Sequence, residues 1–429
     1  MKTGTVLIVL SLLLSILLAG PSFGQDAPLM MYRDARAMGM GNAFEAITSD
    51  TSALHYNPAG LARAEKTKFE FLLFRARISY DLASELKETN DLIDNIRDIV
   101  ASDDPLKDKS LESQRRYVVD RLEEMLTERL GMLGETPGLA LVVPTRMGRM
   151  TLSLAGAIYT QGRFSMYIER RGIRWSDPIK DMLDNYIIYD LSAQLNYQLA
   201  WAVGLPLGPT KLYAGMSFRK INRHVFTDMG DPMTVEDMLN PDGPDGIPGT
   251  EDDFQKRFFN YEEEDRVKLI RESFKSAPGY TMDFGLASEL MDGLSVAMAI
   301  RNLAGNIRYP DGDRNIPRNT VISASIQPMK LLKMKSRLLD LTLSASYDNP
   351  NGDDALGDFK NDALSDHVHL GAEAILFPGS SLSIGARWGN NQGYLTSGLT
   401  LKLGGLYIDA ARYGDLEADW HVLSVKLAF

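Results

Sequence analysis

The chain closes on Trp420-His421-Val422-Leu423-Ser424-Val425-Lys426-Leu427-Ala428-Phe429, and this stretch alternates. Leu423, Val425, Leu427 and Phe429 fall on one face of an extended strand, and Ser424, Lys426 and Ala428 on the other, because successive side chains point to opposite faces. The pattern recurs upstream. Leu339, Leu341, Leu343, Ala345 and Tyr347 alternate with Asp340, Thr342, Ser344, Ser346 and Asp348. Val368, Leu370, Ala372, Ala374 and Leu376 alternate with His367, His369, Gly371, Glu373 and Ile375, and Leu395, Ser397, Leu399, Leu401 and Leu403 alternate with Thr396, Gly398, Thr400 and Lys402. Each segment is about ten residues, the length a tilted strand needs to cross a bilayer. Strands of a soluble sandwich are nearer five or six.

Extending the reading over the chain predicts fourteen strands: 66–80, 136–146, 149–162, 186–203, 209–223, 276–290, 293–306, 317–330, 336–348, 366–377, 381–390, 393–403, 405–414 and 418–429. Connections after even-numbered strands are tight, as at Met147-Gly148, Met291-Asp292 and Gly404. Those after odd-numbered strands are often long: 81–135, 163–185, 224–275 and 349–365. Short turns on one side and long loops on the other are the habit of bacterial outer-membrane barrels, with the short turns periplasmic. The expectation is an all-β fold: a 14-stranded antiparallel transmembrane β-barrel spanning 66–429, in contact with outer-membrane lipid. Its aromatic terminal residue, Phe429, is the feature that barrel-assembly machinery reads.

The amino terminus agrees with export. Lys2 gives a short basic region, and Val6 to Ala19 is an apolar run of about 14 residues, too short for a comfortable helical span. Ser22-Phe23-Gly24 supplies small residues for cleavage before Gln25, so 1–24 reads as a signal peptide. There are no cysteines, which removes disulfides and thiolate chemistry. The net charge of −11 argues against nucleic acid as a partner. The expected location is the bacterial outer membrane.

Two insertions interrupt the strands. In 84–134, Leu92, Ile93, Ile96, Ile99 and Val100 lie at helical spacing, and Tyr117, Val118, Leu122, Met125, Leu126 and Leu130 do so again. That predicts amphipathic helices in the first external loop. The long acidic loop 224–275 carries Asp242, Asp245, Glu251, Asp252 and Asp253 on a Gly/Pro-rich turn. Clustered carboxylates of this kind form a candidate calcium site within 240–253, although Pro244 breaks the twelve-residue loop pattern. No other cofactor is expected. His367 and His369 share one face of a predicted strand, a placement open to two metal ligands, but they read rather as lumen-facing polar residues. Among the five histidines no catalytic set forms, and no G-x-S-x-G elbow or phosphate loop occurs, so no enzymatic activity is expected.

Residues 25–65 precede the first strand. They are too few for a domain with its own core. They are too apolar in patches for a plain linker. A 14-stranded barrel is too wide for side chains alone to fill. The segment is therefore expected to fold back as a luminal plug, with Pro58 stiffening the turn that leads into the first strand.

At these residues the sequence resembles a known family. "RAMGMGNAFEAITSDTSALHYNPAGLA" is similar to the amino-terminal segment of the FadL/OMPP1/TodX superfamily of outer-membrane transporters, whose hatch carries an Asn-Pro-Ala motif; Asn57, Pro58 and Ala59 match it. "YTMDFGLASELMDGLSVAMAIRNLAGNI" resembles its PorV-like and TraF-like branches. The resemblance implies a channel for hydrophobic small molecules, such as long-chain fatty acids. Passage would be coupled to a hatch that pivots at Asn57, Pro58 and Ala59, often with lateral exit at a kinked strand. The helical insertion departs from the transporter pattern. It keeps open a reading from another class, an accessory scaffold barrel of a secretion or conjugation system.

Overall fold

The computed structural model describes residues 34–79, 130–168, 187–207, 210–226, 274–309, 312–334, 336–348, 367–414 and 419–429, with isolated positions 95 and 113. The predicted signal peptide, most of the helical insertion and the acidic loop lie outside these residues. The strands are β1 Lys68–Ser79, β2 Leu130–Met147, β3 Met150–Ile168, β4 Ile187–Leu207, β5 Thr210–Phe226, β6 Phe274–Met291, β7 Leu294–Tyr309, β8 Gly312–Asn315, β9 Asn319–Ile326, β10 Leu339–Asp348, β11 Val368–Leu376, β12 Leu382–Asn391, β13 Tyr394–Leu403, β14 Leu406–Gly414 and β15 Asp419–Ala428. Neighbours pair antiparallel around the ring, β7 joins β6 to β9, and β15 returns to β1, so the sheet closes. The short β8 only folds back on the end of β7. The wall is therefore a closed fourteen-stranded antiparallel barrel. Phe429 sits in the closing seam, exchanging backbone hydrogen bonds with Phe69 (2.9 and 3.1 Å).

Alternation decides which face meets which medium. Leu152, Leu154, Ile158, Leu199, Trp201, Trp388, Leu395, Leu399 and Leu423 point outward and stay exposed, Leu395 at 81%. In water such a continuous apolar belt would be costly, at about 25 cal/mol per Å² of apolar surface. A barrel leaves no unpaired strand edge, so its backbone is satisfied within lipid. Inward positions carry Ser153, Gln161, Gln194, Asn196, Gln198, Ser217, Thr281, Ser344 and Ser346, all buried. The tight turns use glycine with a left-handed backbone, as at Gly148 (φ 64°) and Gly404 (φ 62°).

The strands depart from the predicted bounds in instructive places. β2 begins at Leu130, six residues before the expected 136. Gly131, Gly134, Pro137 and Gly138 make that stretch read as loop, yet the pairing of β2 with β3 shifts between Thr136 and Leu139, so a bulge absorbs Pro137. β9 stops at Ile326 rather than 330, because Pro328 opens a short helix, α2, Pro328–Leu331.

Candidate functional site: the luminal segment

Residues 34–64 lie inside the barrel and are almost entirely buried. Three short polar residues shape the segment by capping. Asp34 starts helix α1, Ala35–Gly39, with its carboxylate accepting the Arg36 N–H (2.8 Å). Asp50 starts the 3₁₀ turn Thr51–Leu54 by accepting the Ser52 N–H (3.0 Å), and Asn57 starts the 3₁₀ turn Pro58–Arg63 by accepting the Ala59 N–H (3.1 Å). Each side chain satisfies a donor that the first turn leaves without a partner. Pro58 occupies the position where a missing N–H costs nothing.

Asn57, Pro58 and Ala59 come together as one corner against β4, β5 and β6. The Asn57 amide works at both ends. Its oxygen caps the turn, and its Nδ2 donates to the Leu286 carbonyl of the wall (3.1 Å). The wall carries glycine where the corner touches it. A Cβ at Gly285 would lie 2.0 Å from Asn57 Oδ1, and one at Gly215 would lie 2.4 Å from the Pro58 carbonyl carbon. Gln198 donates to the Leu54 carbonyl (2.6 Å). Ala53, Leu54, Ala59, Leu61 and Ala62 pack on Ala155, Ala157, Ala200, Ala202, Ala287 and Ala297. This side of the plug is held by shape, amides and apolar contact.

The opposite side is held by charge. Asp34 pairs with Lys426 (3.3 Å) and Arg75 (3.4 Å), and Arg75 pairs with Glu135 (2.6 Å). Arg36 donates through Nε and Nη2 to the two oxygens of Glu373 (2.8 and 2.5 Å), which also receives Arg387 Nε (2.7 Å). Nearer the corner, where the Glu45 carbonyl lies 3.4 Å from Asn57 Nδ2, Glu45 pairs with Arg301 of β7 and accepts from Ser346 of β10 (3.0 Å). Burial alone would push Asp34 up, but Lys426, Arg75 and the Arg36 N–H hold its carboxyl well below the usual carboxylate range. Burial would lower Arg36, yet Glu373 keeps it firmly charged. His55 lies edge-on to Tyr159 with ring centroids 5.1 Å apart, and burial, reinforced by Arg219 and Arg75, drives its pKa well below 6.5, so it is neutral.

His367 and His369 turn to one shared carboxylate. Both approach Asp348, at 3.4 and 3.3 Å, while His369 Nδ1 meets Gly41 O of the luminal segment and Asn391 Oδ1 (3.1 and 2.7 Å). Among the described residues no group of three His, Asp or Glu is arranged to hold a metal. Asp242, Asp245, Glu251, Asp252 and Asp253 lie outside the described residues, so the candidate calcium loop has no geometry to report. The charged anchors Asp34, Arg36 and Glu45 were not singled out from sequence. Their signal was a charged residue within a run of small and apolar ones.

The wall itself has a weak point beside the plug. Pairing of β1 with β15 shifts between Leu72 and Phe74, and β2 carries its bulge alongside. Between them lies a crevice of about 20 Å³, lined mostly by apolar residues of the wall, among them Leu72, Gly138, Leu139 and Tyr159, with Glu70 at its edge, and by Thr51 and His55 of the plug. Leu72 and Tyr159 are buried inward, whereas Leu139 is exposed on the outer face, so the crevice draws its lining from both faces of the wall.

No protein-family model matches the sequence, and no curated protein matches it. Solved structures similar to it include the toluene transporter TbuX of Ralstonia pickettii, at 12% identity over 91% of this chain and 96% of that chain, with a TM-score of 0.43. A FadL homologue of Pseudomonas aeruginosa is 11% identical over 95% of this chain and 99% of that one, with a TM-score of 0.41. The translocator domain of the autotransporter NalP from Neisseria meningitidis is 9% identical over 86% and 90%, with a TM-score of 0.37. Strand pairing alone establishes the architecture: a closed fourteen-stranded membrane β-barrel with its amino-terminal segment folded into the lumen.

Proposed function

We propose that the chain is an outer-membrane channel that takes up hydrophobic molecules, long-chain fatty acids among them, and releases them sideways between β1 and β2. The paired bulges with their crevice carry this reading. An apolar ligand gains nothing from a water-filled bore, since hydrating apolar surface is unfavourable. Among the described residues the inward wall is largely polar, and the plug is packed tightly against it. The apolar gap beside the bulges is thus the natural exit. At about 20 Å³ it holds roughly one water and must widen to pass a ligand. Thr51 and His55 line it from the plug, so displacement of the plug would widen it. Asn57, Pro58 and Ala59 act as the pivot, and the charged end around α1 is the part that yields.

The polar lumen favours a second reading. A barrel whose bore is closed by ion-paired contacts also suits an accessory scaffold that binds a partner protein through its external loops. Equilibrium binding of a fluorescent long-chain fatty acid to the folded barrel separates the two. The channel reading predicts saturable binding that weakens in Asn57→Ala/Pro58→Ala, and liposome uptake that drops when Gly138→Phe fills the crevice. A folded barrel without saturable binding would support the scaffold.

A further inference from the structure

A second cavity adjoins the crevice, sharing Thr51 and Glu70 with it, and opens toward the turns. It has a volume of about 260 Å³, against about 20 Å³ for the crevice, and lies at the turn side of the barrel, reaching Pro378, Gly379 and Phe429. Five cationic residues line it (Arg36, Lys68, Arg387, Lys402 and Lys426) against four acidic ones (Asp50, Glu70, Glu373 and Asp409). With Phe429 and its terminal carboxylate in the same lining the charges are close to balanced, so how they pair decides what the cavity can hold.

The acids are all engaged. Glu373 is shared by Arg36 and Arg387, and Glu70 takes Thr51 (2.8 Å) and Lys426 (3.4 Å). Asp50 takes the N–H and hydroxyl of Ser52, and Asp409 takes the Thr400 hydroxyl with Arg387 3.7 Å away. Lys68 and Lys402 have no acidic partner within 4.0 Å among the described residues. Strand register adds the decisive feature. Lys402 pairs with Tyr407, and Tyr407 pairs with Lys426, so the three stand in one row across β13, β14 and β15. The Lys402 ammonium lies 5.7 Å from the Tyr407 ring. Adjacent strands are about 4.8 Å apart, so this row places two ammonium groups on either side of a phenol. Like charges so close repel, and Asp34 and Glu70 offset only Lys426.

We infer that this vestibule is a binding site for an oxyanion, a carboxylate or a phosphate, held by Lys402, Lys68 and the Tyr407 hydroxyl with Lys426 behind. The site adjoins the crevice at Thr51 and Glu70 but uses none of its apolar lining, and anion binding is read without passage through the wall, so its failure leaves lateral transport untouched. The oxyanion is either a free ion or the head group of an amphiphile, and the two are separable.

The test is calorimetric titration of the full-length folded barrel with inorganic phosphate, octanoate and octanol, folding being checked by heat-modifiable migration. The expected result is saturable binding of phosphate or octanoate. Lys68→Gln/Lys402→Gln should weaken it at least about tenfold, and Tyr407→Phe less, with affinity falling as salt rises. Phosphate and octanoate of similar affinity point to a free ion. Octanoate alone, or much the tighter, points to an amphiphile head group. Three results would overturn the inference: no binding of either anion by a folded barrel, binding unchanged in the double variant, or octanol binding as well as octanoate. Lys402→Gln alone, a change at a half-buried side chain, guards against misfolding of the double variant.

Discussion

The two sides of the luminal segment are equally buried and both press on wall glycines, but only one is also tied down by ion pairs. The corner at Asn57-Pro58-Ala59 touches β4, β5 and β6 through amides, alanines and wall glycines. The end at Asp34–Gly41 also presses on wall glycines, Gly371, Gly389 and Gly398, and adds ion pairs to Arg75, Lys426 and Glu373, with a lysine-lined vestibule beside it. Contacts built on shape have one good geometry and give way only when the packing does. Ion pairs have high stakes in both directions, since each charge is costly when stripped of its partner but can exchange one counter-ion for another. A plug built this way has a fixed corner and an exchangeable end.

That contrast can be broken from either side. The largest effect is expected at the charged end. Asp34→Asn keeps the shape and removes the charge that Arg75 and Lys426 face, and should cost about 3 kcal/mol, the low end for breaking a buried pair. Urea unfolding of the lipid-reconstituted barrel measures it. Gly285→Ala attacks the corner by overpacking and should cost about 1–3 kcal/mol. In combination with Asn57→Ala the two effects should be clearly non-additive, because the added methyl meets Asn57 Oδ1. Asn57→Ala alone loses both the cap and the bond to the Leu286 carbonyl and should cost about 2 kcal/mol.

The smallest effect is a pH dependence that sharpens the comparison. His55 is held neutral in the folded protein, its pKa depressed below 6.5 by burial and by Arg219 and Arg75. Its contribution to stability is therefore present above pH 6.5 and is lost as pH falls below that value, where the unfolded histidine gains a proton that the folded one refuses. Asp34 shows the same sign in a lower window: its contribution is present above pH 3.8 and lost as pH falls below it. A stability profile between pH 7 and pH 5 should slope downward in the native chain and flatten in His55→Gln. A native profile without slope would show that His55 is not held neutral by its surroundings.

Much of the wall was legible from sequence because one rule governs it. A closed barrel needs alternation on every strand, and the polar and apolar residues of 339–348, 368–376 and 394–403 obey it nearly without exception. Where the chain bends, the rule fails. Pro137 and Gly138 read as loop because the pairing that tolerates them is a bulge, and a bulge is defined by the neighbouring strand rather than by its own residues. The corner was legible as a stiff Asn-Pro turn. Its target was not, since nothing in a local stretch says that Gly215 and Gly285, more than 150 residues away, are glycine to make room for it. The ion pairs were hidden for the same reason: Arg36 and Glu373 are 337 residues apart.

The most direct test of a fixed corner and an exchangeable end is segment-resolved hydrogen exchange on the reconstituted barrel, comparing the native chain with Glu373→Gln. The account predicts that amides of 35–41 exchange at least about tenfold faster in the variant while those of 59–63 keep their protection. If both segments lose protection together the plug is a single rigid body, and the division of labour proposed for its two sides is wrong.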